Sequence, residues 1–192
     1  MAFKPIATTR SATGMATGKL AVWWLIVSEI VIFGGVLGSY IMHRIGHPEW
    51  AFQAAHTNAY IGGVNTLVLL TSSYFAVRAH YEAETNEDGK MAAKFLMGAF
   101  GGGLIFLCLK AYEWSVEIAN GYTITASTFW SFYYTAAGIH ACHVIVGMII
   151  MAFIARDAWK GQELHRVELI GIYWHFVDLV WIFLFPLLYI AK

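Results

Sequence analysis

Five apolar segments constrain this chain more than anything else in it: about Leu20–Met42, Tyr60–Val77, Ala93–Ala119, Phe129–Ala155 and Val167–Ile190. As helices rising 1.5 Å per residue, each is long enough to cross a hydrocarbon core of roughly 30 Å. A segment inside lipid has no water to satisfy its backbone groups, so each must be helical. Composition agrees, because 59% of the residues are hydrophobic and only 12% charged, against about 25% charged in a soluble domain. The expected fold is all-α, a five-helix transmembrane bundle over residues 20–192. Residues 1–19, with Gly14, Gly18 and many Ser and Thr, read as a mobile tail without a cleavable signal.

Polar punctuation separates the spans. Glu82-Ala83-Glu84-Thr85-Asn86-Glu87-Asp88-Gly89-Lys90 reads as a loop, and His47-Pro48-Glu49-Trp50 and Asn120-Gly121 as shorter breaks. Lys4, Arg10, Lys19, Arg78, Lys90, Lys94, Arg156, Lys160 and Arg166 fall on one side of the bilayer, Arg44 and Lys192 on the other, and Lys110 inside the third span. The positive-inside rule therefore predicts a cytoplasmic N-terminus and a periplasmic C-terminus. Acidic and basic residues balance at 12 each, which gives no electrostatic footprint for nucleic acid. Cys108 and Cys142 lie in apolar runs without CxxC spacing and are expected to be small buried hydrophobes. Glycines at 34, 35, 38, 62, 63, 98 and 101–103 favour close helix contact within one bundle. Trp23, Trp24, Trp50, Trp114, Trp159 and Tyr189 sit mostly near span ends, as an interfacial belt does.

Polar residues inside the spans carry the functional signal. Glu29 lies roughly 14 Å from the cytoplasmic start of its span, Asp178 is at a comparable depth, and His143 falls near the same level. The three are expected to meet near the midplane, joined by His175 one turn from Asp178. Buried carboxylates are paired or protonated, so the set is either a polar lock between helices or a proton relay. His140 and His143, at i, i+3, could fill two positions of a metal or haem site, but HExxH and thiolate signatures are missing and hydrogen-bonded histidines suffice. Lys110 and Glu113 suggest an ion pair, with contact to lipid or an interface as the functional reading. Glu117 is expected near the headgroups. Asn65, Thr66, Ser72 and Ser73 offer interhelical hydrogen bonds.

Taken in order, these residues resemble subunit III of the haem-copper oxidases. The matches are Ser28-Glu29 with Ile32-Phe33, Asn65-Thr66 with Ser72-Ser73, and Tyr112-Glu113. They continue through Gly138-Ile139-His140-Ala141-Cys142-His143-Val144 with Gly147, and Tyr173-Trp174-His175-Phe176-Val177-Asp178-Leu179-Val180-Trp181. The resemblance runs from about Leu20 to the end, and corresponds to the five-helix arm of a family whose longer members have seven helices. It implies an accessory subunit of a cytochrome c or quinol oxidase in a bacterial inner membrane. Such a subunit has no catalytic residue and no cofactor of its own and has haem and copper in its partner subunit I; phospholipid is held between the two arms of the longer members, of which this chain has one, so bound phospholipid is possible here but not required. Glu29 matches the family's intramembrane carboxylate. Two alternatives remain at this stage: a related protein associated with a nitric oxide reductase, and a stand-alone proton-coupled transporter. The absence of an internal repeat weighs against the second.

Overall fold

A computed structural model describes residue 12 and residues 14–190. Most of the tail assigned to residues 1–19 lies outside them, as does Lys192. The chain winds into α1 (Thr17–Gly46), a short α2 (Trp50–Ala54), α3 (Ala59–Glu84), α4 (Gly89–Ala119), α5 (Thr128–Trp159) and α6 (His165–Phe185). A π-helical turn over Pro186–Ile190 continues α6. Five helical segments are long and apolar enough to cross a membrane, the last being His165–Ile190.

Helix starts follow local chemistry. The Asn58 side chain accepts from the Tyr60 and Ile61 amides at 3.1 Å, Asp88 from Met91 at 3.0 Å, and Ser127 from Trp130 at 3.4 Å; each satisfies amide groups that a helix N-terminus leaves open. The end of α4 is sharper. Gly121 adopts φ +87°, while Tyr122 N–H reaches Glu117 O and Gly121 N–H reaches Ile118 O, both at 3.0 Å. This double closure needs a left-handed residue, which glycine supplies without strain. Between α1 and α2, Glu49 is held below the ordinary carboxylate range by its own backbone amide and then by His47, 2.7 Å away.

The bundle closes where side chains are small. A Cβ on Gly102 would stand 2.6 Å from Ser72 Cβ, and one on Gly147 would stand 2.9 Å from the Trp174 ring. Helix α6 is the centre, with α1, α3 and α5 packed on it and α4 closing against α3 and α5. Trp174, Trp181, Tyr133 and Phe106 fill the interior, each at most 1% exposed. By contrast α1 leans on α5 and α6 with few buried positions, and Gly34, Gly35 and Gly38 face open space.

Several expectations are corrected by the fold. Cys108 and Cys142 point outward instead of into the core; a thiol is apolar enough to face lipid. Trp23, Trp24 and Trp159 are exposed, but Trp50 and Tyr189 are buried in aromatic clusters rather than lying in a belt. The loop after α3 is shorter than its polarity suggested. Glu82 stays helical and buried, bonded to Arg78 at 2.9 Å and to Asn86 at 2.6 Å.

Candidate functional site

Glu29 of α1 and His143 of α5 meet across the seam between their helices, with Oε2 and Nε2 2.9 Å apart. His143 Nδ1 lies 2.8 Å from Ile139 O. A carbonyl can only accept, so Nδ1 carries a proton. The Glu29–His143 contact then holds one shared proton: the carboxyl donates to a neutral imidazole, or an imidazolium faces a carboxylate. Either way the pair is neutral overall, which a low-dielectric setting demands. It opens onto a groove of about 410 Å³ walled by Val22, Leu25, Val146, Ile150 and Ile170, with Arg166 at one end.

Asp178 and His175 do not join this pair. At 100° per residue, Phe176 turns toward α1, where its ring meets Phe33 edge-on at 6.4 Å, and its neighbours are carried away from that seam. His175 turns to α3, where Nδ1 lies 2.5 Å from Ser73 Oγ. Asp178 is 4% exposed and turns to α3 as well, where the Ser73 hydroxyl is its nearest polar neighbour. His140 is likewise separate. Fully buried between Trp181, stacked at 5.3 Å, and the edge of Phe106 at 5.5 Å, it has no partner for either ring nitrogen.

A second polar centre forms toward the opposite end of α4. Lys110 donates to Glu113 Oε2 at 3.0 Å and to Tyr133 at 2.9 Å, and also to Tyr189. Tyr133 reaches Glu117 at 3.1 Å, and Tyr189 reaches Glu113 at 3.1 Å. Lys110 and Glu113 are each only 2% exposed, and Glu117 5%. Burial therefore corrects the expectation that Lys110 and Glu113 face lipid or an interface, and that Glu117 lies among headgroups. Aromatic faces complete the solvation of the ammonium, with Nζ 4.7 Å from the Tyr133 centroid and 4.9 Å from that of Tyr189. The π-turn helps to position Tyr189: Pro186 lacks the N–H of a regular ladder, the register shifts, and Leu187 O accepts Tyr40 OH at 2.9 Å.

Sequence reasoning missed both tyrosines and the buried state of Glu117. Tyr133 sits on α5 within an ordinary aromatic run, and only the alternation of the helix signals that it faces inward. Ser72 and Thr66, named from sequence as bonding residues, accept Trp174 Nε1 at 2.9 Å and Trp181 Nε1 at 3.0 Å. Asn65, named with them, is buried with both side-chain atoms unpartnered.

Five spans, polar contacts between helices and, among the described residues, no group of three or more His, Cys, Asp or Glu arranged to hold a metal define the class: a multi-pass all-α membrane protein built on packing and internal hydrogen bonds. The pattern of the family described as cytochrome c oxidase subunit III matches residues 6–192. Cytochrome c oxidase subunit 3 of Bacillus sp. (strain PS3) is 32% identical over 197 residues, covering 97% of this chain and 92% of that protein. The subunit 3 of Thermostichus vulcanus is also 32% identical, over 86% of this chain and 83% of its own length. A protein of Aeropyrum pernix named heme-copper oxidase subunit I+III is 28% identical over 90% of this chain, which spans 22% of that longer protein. The chain belongs to the cytochrome c oxidase subunit III family, whose members are accessory subunits of haem-copper oxidases. Neither the reductase-associated nor the transporter alternative gains support from these relatives.

Proposed function

We propose that this chain packs on subunit I of a terminal oxidase, which carries the haem and copper, and supports that subunit's proton uptake and durability. The observation that carries the reading is the Glu29–His143 contact of 2.9 Å beside an apolar groove. A pair that shares one proton can shift it between carboxyl and imidazole without changing its net charge, and stays neutral in a dry site only if a second proton arrives as the first leaves. The name of the Aeropyrum pernix relative, subunit I+III, supports association with subunit I. The groove suits an acyl chain, and Arg166 at its edge is paired with Glu163 at 3.4 Å and Asp157 at 3.6 Å. The charge bias supports a bacterial inner-membrane protein with its N-terminus in the cytoplasm and its C-terminus in the periplasm.

The test is a visible spectrum of the complex recovered with the tagged chain in mild detergent, followed by turnover over many cycles with Glu29→Gln. Haem should accompany the chain in near-stoichiometric amount, and the variant should assemble but lose proton pumping faster than the wild type. A colourless preparation would remove the partner, and undiminished pumping would leave Glu29 as a structural residue.

A further inference from the structure

The bond between Ser73 and His175 lies on the outside of the bundle, where a lipid-facing surface should carry none. His175 is ten residues into α6, and Ser73 is eleven residues before the end of α3 at Glu84. Those helix ends lie on one side of the bilayer, which puts both residues about 15 Å deep, near the midplane. His175 is nevertheless exposed and Ser73 half-exposed. The Nδ1–Ser73 contact is the ring's one hydrogen bond among the described residues, so Nε2 faces outward. An imidazole edge in bare hydrocarbon is unfavourable, and polar side chains at that depth face protein or a water-filled cavity. Around it the surface is apolar: Leu70 and Val77 flank Ser73 on α3, and Leu179 and Ile182 follow His175 on α6, each 42–50% exposed.

We propose that this face of α3 and α6, centred on Ser73 and His175, is where a transmembrane helix of the oxidase's catalytic subunit docks, placing a hydrogen-bonding side chain against His175 Nε2. The inference rests on the family reading and adds to it a surface and an anchor. Two observations favour a protein helix over lipid, and a third favours subunit I. A lipid tail has no polar group to offer at the midplane. Ser73 and His175, with buried Asp178 beside Ser73 and His80 further along α3, make one small polar group at an aliphatic surface, the kind of feature through which membrane helices recognise each other. The relative named subunit I+III carries both designations in one protein, which favours subunit I as the occupant.

The test uses the whole oxidase. A photoreactive phenylalanine derivative is placed at Leu179 in the tagged chain, the membranes are illuminated, and the cross-linked product is identified by mass spectrometry. The expected product joins this chain to the haem-bearing subunit. A product with a second copy of the chain, or with lipid alone, overturns the proposal. Separately, His175→Leu should reduce the haem recovered per tagged chain in mild detergent several-fold, while His175→Gln, which keeps a hydrogen-bonding group, should retain most of it. Recovery with leucine equal to wild type overturns the anchor role. If instead the wild-type chain brings down no haem at all, it is the family reading that fails. Haem recovered without a cross-link from Leu179 to the haem-bearing subunit rejects the docking surface alone.

Discussion

His143 grips Glu29 through Nε2 while its Nδ1 is tied to the Ile139 carbonyl of its own helix, so the imidazole cannot turn away from the carboxyl without giving up a second bond. The pair is thus a positioned contact between α1 and α5, which otherwise touch little. Removing it by Glu29→Ala should cost on the order of 1 kcal/mol, the scale of one polar contact between membrane helices. Thermal unfolding of the purified complex should shift by a few degrees, with assembly retained. Complete loss of α1 docking, read as protease sensitivity of the α1–α2 connection, would show that the contact carries far more.

The same geometry makes Glu29 reachable from the membrane phase. Its side chain is 13% exposed and lines an apolar groove, so a hydrophobic carbodiimide should partition there and modify it. Glu84, Glu87 and Asp88 at the wet end of α3 and the following loop should be spared, and buried Glu82 is sheltered by Arg78. Peptide mapping after brief exposure decides this; equal labelling of Glu29 and Glu87 would contradict it.

Much of this was legible in the chain. Rise per residue alone brings Glu29 and His143 to one depth, because both lie on long uninterrupted helices. The same arithmetic fails for Asp178 and His175, since depth says nothing of rotation, and α6 turns Phe176 rather than Asp178 toward α1. The short helix Trp50–Ala54 has too few residues to show a period. Tyr189 was assigned to the bilayer surface because it lies near the C-terminus; only the register shift at Pro186 and the contact with Lys110 place it inside. Patterns within one helix were readable, whereas partners supplied by other helices were not.

The proposed orientation rests on nine basic residues against two. A reporter active only in the periplasm, fused after Lys192, should be active, and one fused at the loop between α3 and α4 should be silent. The reverse result would put the Lys110 cluster toward the cytoplasmic end of α4.

Close helix approach gives a contrast within one turn. Gly102→Ala forces a Cβ to 2.6 Å from Ser72 Cβ, an overpacking that costs about 1–3 kcal/mol. Gly101→Ala meets nothing within 4 Å and should be neutral or stabilising by up to about 1 kcal/mol through helix propensity. Melting of the two variants in one detergent should move in opposite directions or differ by several degrees. Equal melting temperatures would mean that α3 and α4 are not in contact at this level.

The strongest effect is expected at Lys110. Lys110 is 2% exposed, its ammonium is bonded to Glu113, Tyr133 and Tyr189, and among the described residues it is the one buried lysine or arginine, set against two buried carboxylates. Lys110→Met keeps most of the volume but leaves Glu113 and Glu117 without their cation. Removing one partner of a buried ion pair costs about 3–5 kcal/mol, because the other charge stays behind desolvated. The variant should therefore give little folded protein in mild detergent. Lys110→Met combined with Glu113→Leu removes the paired charges together and should recover part of the yield, since a buried pair replaced by apolar groups is often nearly neutral. Tyr133→Phe, which removes one hydrogen bond from the ammonium and one from Glu117, should fall between, at about 1–3 kcal/mol. Wild-type stability in Lys110→Met would show that the cluster contributes nothing to the fold, and a double variant worse than the single would show that the residues act through separate partners.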